Sequence, residues 1–216
     1  MSDTSVNLLV DGISFQLDNT GVARIWRTLL PQLATRLKSV TLLDRGNSPD
    51  VAGIRRIPFP AYTGTATAAE SILIEKLCAH YRADVFTSTH YSTPLCTPML
   101  LLICDAELNE DNPSARRCQE KELAILYSKR RVCFSEKTRR ELLTCYPELN
   151  PATISVLSRG AETKFFRQRS QRDVKTLADH LTTTFTELVE ESRSGAHDGF
   201  FRRWSELRRI QADVDF

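Results

Sequence analysis

Met99-Leu100-Leu101-Leu102-Ile103-Cys104 is the most continuously apolar run in the chain. A strand with water on one face alternates apolar and polar residues, whereas a strand covered on both faces has no need to. The run therefore predicts an inner strand of a sheet with helices on either side. Similar short runs, bounded by turn residues, occur at Val6–Val10, Val40–Leu43, Ile54–Ile57, Ala83–Thr87, Arg131–Phe134 and Ile154–Leu157. Pro58 and Pro60 stop the third of these.

Helical patterns separate most of the runs. After a polar loop ending Asp18-Asn19-Thr20-Gly21, the residues Val22, Ile25, Leu29, Leu33 and Leu37 recur on one helical face. Pro31 lies within that pattern and predicts a kink or break, because it lacks the backbone N–H. Ala66–Tyr81 is rich in helix formers, and Ser114–Ser128 reads as a further helix. Ser135 is placed to cap a helix over Glu136–Tyr146. Strand and helix in alternation predict an α/β fold with a Rossmann-like, doubly wound parallel sheet. In such sheets ligands bind at the carboxyl ends of the strands.

The pattern changes after Gly160. Lys164, Arg167, Arg169 and Arg172 make a basic stretch. A helix follows with Val174, Leu177, Leu181, Phe185, Leu188 and Val189 on one face. Ser192-Arg193-Ser194-Gly195 breaks it, and a second helical pattern carries Phe200, Phe201, Trp204, Leu207 and Ile210. With no strand after either, the two helices cannot build a second α/β domain. Their apolar faces need a partner, and the sheet is the nearest. The expected division is a sheet domain over residues 1–166 and a helical tail over residues 167–216.

Bulk composition excludes several classes. With 29 basic and 27 acidic residues the net charge is +2, which gives no electrostatic reason to expect a nucleic-acid partner. No segment approaches the roughly 18 consecutive apolar residues that span a bilayer. The N-terminus lacks the basic and apolar regions of a signal peptide, so a cytoplasmic protein is expected. Six cysteines, at positions 78, 96, 104, 118, 133 and 145, show neither CxxC pairing nor zinc-ligand spacing with histidine. Buried, reduced thiols and no metal are the expectation. There is no GxGxxG and no P-loop, which disfavours other Rossmann-like nucleotide-binding or oxidoreductase modules.

Three stretches in order carry a resemblance. They are Leu9-Val10-Asp11-Gly12 through Asn19-Thr20-Gly21-Val22-Ala23-Arg24, then Arg82-Ala83-Asp84-Val85-Phe86-Thr87-Ser88-Thr89-His90-Tyr91 followed by Thr93-Pro94-Leu95, then Cys133-Phe134-Ser135-Glu136-Lys137 running on to Val156-Leu157-Ser158-Arg159-Gly160. In this order and spacing the chain resembles the N-terminal domain of family-four retaining glycosyltransferases of the GT-B fold, over roughly residues 6–166. Asp173–Leu188 and Phe200–Asp215 resemble the closing helices of that family, which cross back onto the first domain.

The resemblance implies sugar transfer from a nucleotide sugar to a glycan or lipid-linked acceptor, with no metal and no other cofactor. It implies a phosphate-facing loop at Thr20, Gly21 and Arg24, where helix N-terminal N–H groups meet the donor diphosphate. It places His90 and Asp105 near the reacting sugar and Tyr91 on the acceptor side. Plainer readings stand beside each of these. Gly21 serves a tight turn, Arg24 is a solvated helix residue, and His90 is a structural histidine.

The departures from the family are specific. Between Gly160 and Asp173 there is no room for a donor-binding domain, which takes about 150 to 200 residues. The family's donor-site glutamates, two with seven residues between them, have no counterpart at that separation. Cys104 stands before Asp105 where many members have histidine. The expectation is a glycosyltransferase-like chain that is incomplete or inactive alone, completed by a donor-binding chain or by a homodimer. The alternative is a catalytically dead module that binds glycan or protein. Arg208-Arg209 raises contact with an anionic membrane surface, set against a solvated helix face.

Overall fold

The computed structural model describes residues 4–17, 21–64, 67–103, 115–157 and 171–194. Seven strands form one sheet: β1 (Thr4–Asp11), β2 (Leu37–Asp44), β3 (Ile54–Pro58), β4 (Val85–Ser88), β5 (Met99–Ile103), β6 (Arg130–Cys133) and β7 (Ile154–Val156). Their order is β3-β2-β1-β4-β5-β6-β7, and every pairing is parallel. The helices are α1 (Ile13–Gln16), α2 (Gly21–Ala34), α3 (Ala68–His80), α4 (Ala115–Tyr127), α5 (Glu136–Cys145) and α6 (Gln171–Arg193). A 3-10 turn over Pro151–Thr153 leads into β7. This is the Rossmann-like, doubly wound arrangement expected from the apolar runs.

Because successive side chains of a strand point to opposite faces, each inner strand feeds two cores. Leu8 and Val10 of β1, with Leu100 and Leu102 of β5, join one apolar cluster. That cluster is closed by Trp26, Leu29, Leu30 and Leu33 of α2 and by Leu177, Leu181, Phe185 and Leu188 of α6. Leu9 of β1, with Leu101 and Ile103 of β5, joins the opposite cluster, which takes Ile74 and Cys78 from α3, Ile125 from α4 and Leu142 from α5. The helix predicted over Val174–Val189 thus packs back on the sheet. Ion pairs tie it down: Arg36 to Asp179 at 2.8 Å, Arg193 to Asp84 at 3.1 Å, and Arg130 to Glu191. The second helical pattern, Phe200 to Ile210, lies outside the described residues.

Three local features differ from the sequence reading. The stretch after β1 is not all loop, since Ile13–Gln16 makes one helical turn with Ile13 and Phe15 fully buried. α2 continues through Pro31 as one helix. Pro31 and Arg27 both lie on its exposed face, so the carbonyl that loses its bond faces water. Among the described cysteines, Cys78, Cys96 and Cys133 are buried and outside any disulfide, but Cys145 is exposed at the end of α5. Ser135 caps α5 as predicted, its hydroxyl accepting from the Thr138 N–H at 3.0 Å. No described helix is long and apolar enough to cross a membrane.

Candidate functional site

The chain builds β1, β2 and β3 on one side, then crosses back to lay β4 on the other side of β1. Connections diverge at that point, and sheets of this topology bind ligands at the carboxyl ends of the strands there, here β1 and β4. Gly12 turns the chain there. A Cβ on Gly12 would stand 2.7 Å from the Leu43 carbonyl oxygen, so no larger residue fits without movement.

Asp11 ends β1 and is sealed from solvent. Arg45, just past the end of β2, grips it through two bonds, Nε to Oδ1 at 2.7 Å and Nη2 to Oδ2 at 2.8 Å. The same guanidinium donates from Nη1 to Glu70 at 2.7 Å and to the Pro60 carbonyl at 3.1 Å, and lies over the Phe59 ring. Burial disfavours the Arg45 charge, but the bonds to Asp11, then its charge and those of Glu70, more than reverse this and raise the pKa. Glu70 also completes a capping box with Thr67 at the start of α3.

A directed chain of hydrogen bonds runs from this ion pair to the loop after β4. The Ser92 hydroxyl donates to Asp11 Oδ2 at 2.6 Å, which uses its single proton. Ser88 therefore donates to Ser92 across their 2.8 Å contact. Ser88 Oγ in turn accepts from the His90 N–H at 3.0 Å. Thr89 closes the arrangement by donating its hydroxyl to the Asp11 carbonyl at 2.8 Å while accepting from the Ser14 N–H at 3.0 Å.

His90 is half-buried, with its ring 5.6 Å from that of Tyr62 and 4.5 Å from that of Tyr91. The Tyr62 hydroxyl donates to Glu120 at 2.7 Å. Gln16 holds the Tyr62 backbone on both sides, donating to its carbonyl at 2.8 Å and accepting from its N–H at 2.6 Å. The far end of the same loop is anchored by Glu75, whose carboxylate accepts from the N–H groups of Leu95, Cys96 and Thr97 and from the Thr97 hydroxyl.

The structure brings His90 and Tyr91 together and adds Tyr62 to them. Tyr91 is buried in the core and His90 is the more accessible of the two. Gly21 is the first residue of α2, and Arg24 lies on the exposed face of its first turn. Thr20 and Asp105 lie outside the described residues. Sequence reasoning missed Arg45, Glu70, Glu75, Gln16 and Tyr62. The capping spacing Thr67-x-x-Glu70 was the one local signal available. Among the described residues, no three histidine, cysteine or acidic side chains cluster as a metal site. No protein-family model matches the chain, and a search of curated proteins finds no similar one.

Proposed function

We propose that this chain is the acceptor-side half of a glycosyltransferase of the GT-B type, which holds a glycan at the carboxyl edge of its sheet and relies on another chain for the nucleotide-sugar donor. The observation that carries this reading is the hydrogen-bond chain from the sealed Asp11–Arg45 pair through Ser92 and Ser88 to His90. Asp11 and Glu70 share the Arg45 charge, and what reaches the strand ends is His90, anchored through its backbone N–H with its ring beside those of Tyr62 and Tyr91. Neutral hydrogen-bonding groups and ring faces suit a polyol with apolar C–H faces better than a free anion. The resemblance at Gly21 and Arg24 supports a donor diphosphate meeting the start of α2 when a second chain supplies the rest of its site. That Cys78, Cys96 and Cys133 are buried and form no disulfide fits a reducing, cytoplasmic setting.

The missing glutamate spacing favours a second reading, a glycan-binding module without catalysis. Calorimetric titration with oligosaccharides and with nucleotide sugars separates the possibilities. The expected result is oligosaccharide binding weakened at least tenfold in His90→Ala, with an unchanged unfolding midpoint. Failure of every oligosaccharide to bind sinks both readings. Transfer activity appearing only when a donor-binding chain is added selects the first, and its absence in every pairing selects the second. Transfer by the isolated chain contradicts both.

A further inference from the structure

A cavity lies at the opposite edge of the sheet, away from His90. It has a volume of about 640 Å³ and opens beside the amino ends of β4, β5 and β6, between the end of α4 and the end of α6. That volume is within the roughly 300–1,000 Å³ range of small-molecule sites. Part of its wall is apolar, formed by Leu126, Leu149, Leu188 and Val189.

Arg131 is the unusual member of the lining. It is 4% exposed, yet its guanidinium makes no ion pair among the described residues. Nε donates to the Ile125 carbonyl at 2.7 Å, Nη1 to the Thr153 hydroxyl at 3.0 Å and Nη2 to the Leu126 carbonyl at 3.2 Å. A guanidinium has five N–H donors, so two remain without an acceptor among the described residues. The carbonyls at the end of α4 soften the charge through the helix dipole, but they do not neutralise it. Burial pushes the pKa of Arg131 down to about 10, against a lesser opposing influence from Cys133. The other cations nearest α6 are already engaged, Arg130 with Glu191 and Arg193 with Asp84. Glu148 lies on the exposed rim.

A buried, uncompensated charge is unfavourable unless an opposite charge reaches it. We propose that this cavity binds a small amphiphile with one anionic head and an apolar body, the head on Arg131 and the body along Leu126, Leu149, Leu188 and Val189. Charge complementarity sets the head, and the apolar wall sets the body. The site is separate from the proposed glycan edge and does not depend on that reading.

The test uses the full chain with 8-anilinonaphthalene-1-sulfonate, followed by fluorescence and calorimetry. The expected result is saturable one-to-one binding that decanoate displaces and decanol does not. Arg131→Met removes the head contact but also three structural hydrogen bonds. Leu126→Glu, at a side chain already 38% exposed, places a negative charge at the mouth without disturbing the core. Both variants are expected to weaken binding at least tenfold. Absence of saturable binding, displacement by decanol as effectively as by decanoate, or unchanged binding in Leu126→Glu would overturn the proposal.

Discussion

Asp11 and Arg45 meet through two parallel hydrogen bonds of 2.7 and 2.8 Å, with both side chains closed to solvent. They are neighbours because β1 and β2 run parallel in register, with Asp11 beside Leu43. Removing one partner strands the other charge in the interior. Arg45→Met is expected to lower the unfolding free energy by about 3–5 kcal/mol, the usual loss on breaking a buried pair. The double variant Asp11→Leu with Arg45→Met is expected to recover part of that loss. Urea unfolding of the three proteins checks this. A double variant no better than Arg45→Met would show that packing around Asp11, rather than charge pairing, dominates.

Gly12 offers a sharper steric test. Gly12→Ala puts a methyl group 2.7 Å from the Leu43 carbonyl oxygen, 3.0 Å from Ser48 Oγ and 3.1 Å from the Phe15 ring. The first neighbour is backbone and cannot rotate away. The expected destabilisation is about 1–3 kcal/mol, as for other overpacked sites. Gly53→Ala provides a contrast, because its new Cβ would lie 3.8 Å from Ala34 and its penalty would come from φ = +81° instead. Thermal unfolding of both variants, with crystal structures, distinguishes backbone displacement from conformational strain.

Glu75 sets the end of the His90 loop. Its carboxylate gathers three successive N–H groups, at 3.2, 2.9 and 3.0 Å, with the Thr97 hydroxyl at 2.9 Å. Glu75→Ala leaves these donors without their acceptor, at an expected loss of about 3 kcal/mol or more given the strength of bonds to charged groups. Amide hydrogen exchange at residues 95–97 is expected to accelerate more than at Leu9 or Val10. Uniform acceleration across the sheet would mean that Glu75 supports the fold as a whole and not the loop.

His180 on α6 is expected to make stability pH-dependent. Its ring nitrogen is 2.9 Å from the Ser155 hydroxyl, and burial lowers its pKa below the ordinary value, against a smaller raising effect of Glu187. On acidification the unfolded chain takes up this proton first, so ν_U exceeds ν_N and stability falls as pH falls. The contribution is full above the unfolded pKa of about 6.5 and declines from there down to the lowered folded value. His180→Gln is expected to flatten this part of the profile between pH 7.5 and 5.5. Denaturant unfolding at several pH values measures the difference, and an unchanged slope would remove His180 as its source.

The sheet was legible because each strand is a compact apolar run, and all seven runs became strands within about three residues of the expected ends. Met99–Ile103 is the clearest, with every residue buried. Helix α6 was legible for a similar reason, since Leu177, Leu181, Phe185 and Leu188 repeat at helical spacing. The short turn of α1 was hidden, because four residues cannot display a helical period and Ser14 and Gln16 looked like loop. The site was mostly hidden too. His90 stood out as a histidine after a strand, whereas Arg45 and Glu75 carry no local signal. Their partners are 34 residues away at Asp11 and 20 to 22 residues away at Leu95 to Thr97, and only the folded topology brings them together.

The packing of α6 on β1 and α2 also bears on how the chain is made. Translation delivers Leu8, Val10 and Trp26 well before Phe185 and Leu188. The apolar face they share cannot close until α6 has left the ribosome. Such sequence-distant closure slows folding and leaves nascent chains prone to sticking. In the cell, a chaperone that shields the α2 side of the emerging sheet is therefore expected to raise the yield of this protein.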